Sequence, residues 1–147
     1  MEQAKKNLKV TSWVVLLLAI YSFVEILVEL IFGELNSAPI PEGAPDNILL
    51  ITKTFLLVVA LILVLPKVYV GIKGLRIVKN PKPGKAHIVW AGIILVFSAL
   101  GLIEPITAIV AQGNLGDDMM AFFNVVVDVI IYYEYIKYAR EFAKLAE

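Results

Sequence analysis

Four acidic residues stand within runs of apolar residues, where a charged side chain is unusual. They are Glu25, Glu29, Glu104 and Asp128. An ionised side chain near the centre of a bilayer costs about 2.5–3.5 kcal/mol, so such residues usually face protein or water and often mark proton or ion sites. The sequence therefore indicates an acidic site at membrane depth, whose chemistry would be the binding of a proton or a small cation.

Two of these acids are one helical turn apart. Glu25 and Glu29 share a helix face, and Tyr21 and Ser22 lie beside them. Two carboxylates this close in a low dielectric repel each other. Lys53 lies at a matching depth in the next apolar run, so the sequence predicts that Lys53 neutralises the pair.

Asp128 lies near the midpoint of the last apolar run, at about mid-bilayer. Asn124 and Tyr132, one turn to either side, form a polar stripe with Asp128 and Tyr135 that we expect to face the other helices. The same run has no Lys or Arg at that depth. We therefore expect Asp128 to be protonated or cation-bound at neutral pH.

Glu104 directly precedes Pro105 in the third apolar run. Proline has no backbone N–H, so the carbonyl one turn earlier, near Gly101, loses its helical donor. Such carbonyls line ion sites in broken transmembrane helices. We expect Glu104 and Glu25 to share a proton or a cation with Asp128.

Four apolar runs are long enough to position these side chains across a bilayer. A helix needs about 20 residues to cross roughly 30 Å of hydrocarbon, and the runs cover about 11–32, 48–72, 88–111 and 119–139. Lipid offers no hydrogen bonds, so the runs must be helices. The sequence predicts an all-α, polytopic membrane protein with a single domain, 1–147, in which four transmembrane helices form an antiparallel bundle.

Helix ends are suggested by capping residues. Thr11 and Ser12 are expected to cap the first helix and Asp117 the fourth, and Gly113 stands where a C-terminal cap is expected. His87 follows Lys85 at a helix start, and we expect its side chain to be solvated.

Basic residues are concentrated on one side of the predicted bundle. Eleven of the thirteen precede the first run, separate the second from the third or follow the fourth, and the other two, Lys53 and Lys67, lie inside the second run. Positive charge marks the cytoplasmic side. We expect a plasma-membrane protein with both termini in the cytoplasm, residues 33–47 and 112–118 outside, and Lys67 extended toward the inner surface.

A repeated pattern at the inner ends of the second and fourth runs suggests two duplicated helical hairpins. Tyr69, Ile72, Lys73 and Arg76 recur 64 positions later as Tyr133, Ile136, Lys137 and Arg140. A constant offset is typical of internal duplication. Chance similarity between apolar helices is the alternative.

Residues 69–96 read YVGIKGLRIVKNPKPGKAHIVWAGIILV, with a glycine pair before an Asn-Pro turn and a glycine that opens the next helix. In these features the chain resembles uncharacterised small four-span membrane proteins of bacteria. The resemblance covers the middle hairpin only, and it implies neither an activity nor a functional residue.

Composition excludes several classes of function. Hydrophobic residues make up 60% of the chain and the mean hydropathy is +0.84, which is above a soluble composition. Zero formal charge argues against nucleic acid as a partner. The chain has no cysteine and one histidine, so thiolate, Fe–S and bis-histidine haem sites are excluded, and we expect no cofactor.

The sequence supports two functions equally. The first is binding of a proton or monovalent cation within the bundle, for transport, exchange or sensing. The second is an accessory, scaffolding or lipid-contacting protein whose buried charges are structural and whose helix faces bind a second copy or another membrane protein. An enzyme is the least favoured class, because it would need carboxylate-only chemistry inside the bundle. The direction in which the four carboxylates point distinguishes the first two.

Overall fold

The chain is all-helical in a computed structural model that describes residues 2–37, 39–81, 84–113 and 119–146, and no strand occurs in these ranges. The helices are α1, Glu2–Phe32; α2, Ile48–Lys79; α3, Ala86–Leu100; α4, Ile103–Gln112; and α5, Met119–Ala146, with a 3-10 turn at Glu34–Asn36. Four segments are long and apolar enough to cross a membrane: Glu2–Asn36, Ile48–Lys79, Ala86–Ala111 and Met119–Ala146. The all-α class and the four long apolar segments are thus confirmed.

The first helix begins much earlier than the apolar run suggests. Thr11 and Ser12 lie inside α1, where their hydroxyls donate to the carbonyls of Asn7 and Leu8 at 2.9 and 2.6 Å. The prediction that they cap the helix is therefore wrong. The preceding residues, EQAKKN, include Glu, Gln, Ala and Lys, which favour helix. The predicted cap Asp117 and most of the predicted loop 112–118 lie outside the described residues.

The third apolar run is two helices rather than one. α3 ends at Leu100, and the N–H of Leu102 donates to the carbonyl of Ala99 at 3.1 Å, a tighter turn than that of an α-helix. Pro105 then lies in the first turn of α4, where a missing N–H is tolerated. α4 ends at Gly113, whose φ of 75° is left-handed and whose N–H donates to Ile109 at 2.8 Å, as predicted for a C-terminal cap.

The helices pack as a ring. α1 and α3 each contact both α2 and α5, which puts α2 and α5 on opposite sides of the interior. The hydrophobic core joins Leu8 and Val15 of α1, Val70 of α2, Ala91 of α3 and Phe142 of α5.

Burial is confined to one end of this ring. Among the residues that the structure describes, all buried ones lie within 4–19, 60–78, 87–94 and 132–142, which we call the core end. Among the described residues of 20–59 and 95–131, which we call the open end, none is buried.

Two glycines allow α1 and α2 to approach closely at the core end. A Cβ added at Gly71 would lie 2.5 Å from Leu16 Cγ, and one added at Gly74 would overlap Ser12 Oγ. Small residues at such positions are typical of helix interfaces in membranes. Gly71 and Gly74 therefore let α1 and α2 lie close together.

Candidate functional site

An ion pair crosses the interior of the ring. Lys67 Nζ of α2 lies 2.7 Å from Asp128 Oδ2 of α5, and the two side chains are 17% and 19% exposed. The expectation that Asp128 lacks a cationic partner is therefore wrong, as is the expectation that Lys67 extends to the inner surface. The long lysine stem spans the difference in depth between the two backbones, and pairing offsets part of the cost of placing the two charges away from water.

A buried hydroxyl lies next to this pair. Tyr132 is one turn from Asp128 and 1% exposed. Within the described part of the chain, its hydroxyl is a buried side-chain polar atom with no hydrogen-bond partner. Asn124, one turn to the other side of Asp128, is partly buried. The predicted polar stripe thus has Lys67 beside Asp128 and an unpaired hydroxyl one turn away, toward the core end.

A second polar contact across the ring lies one turn further into the core end. The hydroxyl of Tyr135 donates to the carbonyl of Val70 at 3.0 Å. The ring of His87 stands edge-on to that of Tyr135, with 6.1 Å between centroids. His87 is 5% exposed, so the prediction of a solvated histidine is wrong. Tyr135 of α5 thus contacts both α2, through Val70, and α3, through His87.

Lys53 does not neutralise Glu25 and Glu29. Its ammonium donates to the side-chain oxygen of Asn36, in the 3-10 turn that follows α1. The two ion pairs found among the described residues join Lys67 with Asp128 and Lys137 with Glu134, so the predicted cluster around Lys53 is wrong. A lysine near a helix end extends toward polar surroundings rather than toward the centre, because its charge is then better solvated.

The remaining acids are exposed and do not join the interior pair. Glu25, its neighbour Tyr21 and Glu29 are exposed, and Ser22 is partly buried. A Cβ at Gly33 would overlap the Glu29 carboxylate, so this group lies one turn toward the end of α1.

Glu104 is also exposed, in the first turn of α4. Over the ranges that the structure describes, no three His, Asp or Glu side chains lie close enough to hold a metal ion. Proton binding by a single carboxylate stays a prediction.

Comparisons of the chain with protein-family models, curated proteins and solved structures give no match. The function is therefore inferred from the placement of charged and apolar side chains.

One signal in the sequence points to the partner of Asp128. Lys67 lies four positions before Gly71 and seven before Gly74, so all three share a helix face. A face with two glycines is a packing face, and a lysine on it points toward neighbouring helices rather than toward lipid.

Proposed function

We propose that this chain is an antiparallel four-span protein of the plasma membrane with both termini in the cytoplasm. Large apolar side chains are exposed along the spans, among them Leu17, Leu63, Phe97 and Ile130, as expected for surfaces that face lipid. Core residues come from the N-terminal parts of α1 and α3 and from the C-terminal parts of α2 and α5. This is the pattern expected if successive spans run in opposite directions. Ten of the eleven flanking basic residues lie in the described part of the chain, and these ten then fall at the core end.

We further propose that the protein is an accessory or scaffolding protein, which binds a transmembrane helix of a partner at its open end. The observation that supports this is the exposure of Glu25, Glu29 and Glu104 in a region where no described residue is buried. A carboxylate exposed to lipid is costly, whereas a partner's basic side chain would compensate it. The partner helix is therefore one with Lys or Arg in its outer half.

A second copy of the chain fits this surface less well. Lys53 is the single Lys or Arg of residues 20–59 and 95–131, and it already donates to Asn36. Another copy would thus bring three more carboxylates but only one lysine, and that lysine already donates a hydrogen bond to Asn36. Charge complementarity favours a basic partner helix over self-association.

Resonance energy transfer in phosphatidylcholine liposomes tests this proposal. The labelled protein is mixed with a synthetic transmembrane helix that carries one Arg in its outer half, or with the same helix carrying Leu instead. We expect the Arg helix to bind roughly threefold to thirtyfold more tightly, the range that polar contacts between membrane helices provide. The triple variant Glu25→Gln/Glu29→Gln/Glu104→Gln should lose this preference.

A matched control removes the same number of acids from the loop on the same side. Glu34→Gln/Glu42→Gln/Asp46→Asn should keep the preference for the Arg helix. Equal binding of the Arg and Leu helices, or a preference that survives in the first triple variant, would refute the proposal. Energy transfer between two copies of the protein that is lost in the first triple variant, without any binding of the Arg helix, would assign the open end to self-association.

Proton or cation binding within the bundle is the second candidate function. The specific observation in its favour is the unpaired, buried hydroxyl of Tyr132, one turn from the Lys67–Asp128 pair. Infrared spectra and melting temperatures with and without Na⁺ or K⁺ test it. A protonated carboxyl band, or a cation-dependent rise in melting temperature, that is absent in Asp128→Asn would support it. Identical results for the two proteins would exclude Asp128 as the site.

A further inference from the structure

A cleft opens at the core end between the start of α1 and the end of α2. Its volume is about 870 Å³. Lys5, Lys6 and Lys9 of α1 and Lys79 of α2 line it, and the acidic lining residue is Glu2. All five side chains are exposed. The cleft therefore brings four ammonium groups together against one carboxylate.

The four lysines are not neutralised within the described part of the chain. The ion pairs found there involve Lys67 and Lys137 instead. Like charges gathered from two helices repel each other and create a positive potential in the cleft. An anion bound between α1 and α2 would convert this repulsion into attraction.

The cleft also has an apolar side. Lys5, Lys9 and Trp13 succeed one another at one-turn intervals, so they form a line along α1, and all three line the cleft. Val78 of α2, which is buried, and Leu75 also line it. Tryptophan is enriched at the depth of lipid headgroups. The ligand that fits such a cleft has an anionic head and an apolar chain.

We propose that this cleft binds an anionic phospholipid of the cytoplasmic leaflet, with the phosphate among the lysines and an acyl chain along Trp13. Basic pockets between transmembrane helices on the cytoplasmic side bind lipid headgroups in this way. The inference rests on the proposed topology, which puts the core end in that leaflet. Free phosphate has the same head chemistry, but it would leave the apolar side of the cleft without a contact.

Native mass spectrometry of the full chain in detergent tests the proposal. The protein is titrated with phosphatidylglycerol or phosphatidylcholine, and the bound lipids are counted. We expect phosphatidylglycerol to be retained preferentially. Lys5→Gln/Lys9→Gln should weaken its binding by about 30-fold, which corresponds to about fivefold for each lysine. Lys5→Arg/Lys9→Arg, which keeps both charges, should retain most of the binding.

The matched control is Lys85→Gln/Lys144→Gln, which removes two exposed basic residues from the same end but not from the cleft. An equal loss of binding in this control would show a general attraction between charges and overturn the site. Displacement of the lipid by inorganic phosphate, or equal retention of phosphatidylcholine, would also overturn it. Circular dichroism shows whether each variant keeps its helices. The assay concerns neither the open end nor its carboxylates, so it can fail while the partner-helix proposal stands.

Discussion

The ammonium of Lys67 lies 2.7 Å from a carboxylate oxygen of Asp128, although the two residues are 61 positions apart. Their helices, α2 and α5, stand opposite each other in the ring, since each contacts α1 and α3. The ion pair thus crosses the interior of the bundle. Tyr135 and Val70 are joined across the same two helices, so polar contacts set the width of the ring.

Removal of Lys67 should destabilise the protein strongly. We expect Lys67→Met to lower the free energy of unfolding by about 3–5 kcal/mol, because it leaves the Asp128 carboxylate without its partner. Replacement of both residues, Lys67→Met/Asp128→Leu, should recover most of this loss. Lys53→Met is the control, since Lys53 contacts the turn after α1. Unfolding in one detergent measures all three, and equal stabilities of Lys67→Met and Lys53→Met would contradict the prediction.

The two buried tyrosines should respond to loss of their hydroxyls in opposite directions. Tyr135→Phe removes the hydrogen bond to Val70, so it should cost about 1 kcal/mol of stability. Tyr132→Phe removes a buried hydroxyl that has no partner, so stability should stay the same or rise. Melting temperatures of the two variants and of the unmodified protein, measured under the same conditions, test this prediction. A loss of stability in Tyr132→Phe would mean that this hydroxyl holds a bound water or ion.

Substitution of one glycine should separate α1 from α2. In Gly74→Ala the new methyl group would overlap Ser12 Oγ and lie 2.9 Å from Tyr135, so we expect a loss of about 1–3 kcal/mol from overpacking. Gly92→Ala is the matched control, because a Cβ there meets nothing within 4 Å. It should stabilise α3 by about 0.5–1 kcal/mol, since glycine is unfavourable inside a helix. Chemical denaturation of both variants shows whether the signs differ.

Topology can be tested with single cysteines, because the chain contains none of its own. A cysteine at Ser37 should react with a membrane-impermeant maleimide in intact cells. A cysteine at Lys85 should react only after the membrane is made permeable. Both positions are exposed in the structure. Labelling of the Ser37 position from the cytoplasmic side alone would reverse the proposed orientation.

The sequence predicted those structural features that depend on a single segment of the chain. The length and hydropathy of each run gave the four long helices, and Gly113 gave the C-terminal cap of α4. The partner of Asp128 was missed because it depends on how two distant helices rotate and tilt. Depth alone gave Asp128 no cationic partner, whereas Lys67, whose side chain reaches it, starts closer to the core end.

The break in the third apolar segment was also predicted only in part. Pro105 indicated that a carbonyl near Gly101 would lose its donor. The response of the backbone, a tight turn at Gly101–Leu102 and a new helix from Ile103, depends on the neighbouring chain. The absence of buried residues at the open end could not be predicted from the apolar runs either. An apolar residue gives the same sequence signal whether it faces lipid, a partner or the core.

The composition of the core has a consequence for the order of assembly. Leu8 and Val15 near the start of the chain pack in one cluster with Tyr135 and Phe142 near its end. Contacts between such distant segments form late, after both have been synthesised. In the proposed topology, the side of α1 that packs against α5 therefore stays uncovered until α5 has been synthesised. During that interval the nascent protein exposes the surface that a chaperone or a quality-control protease of the membrane would recognise.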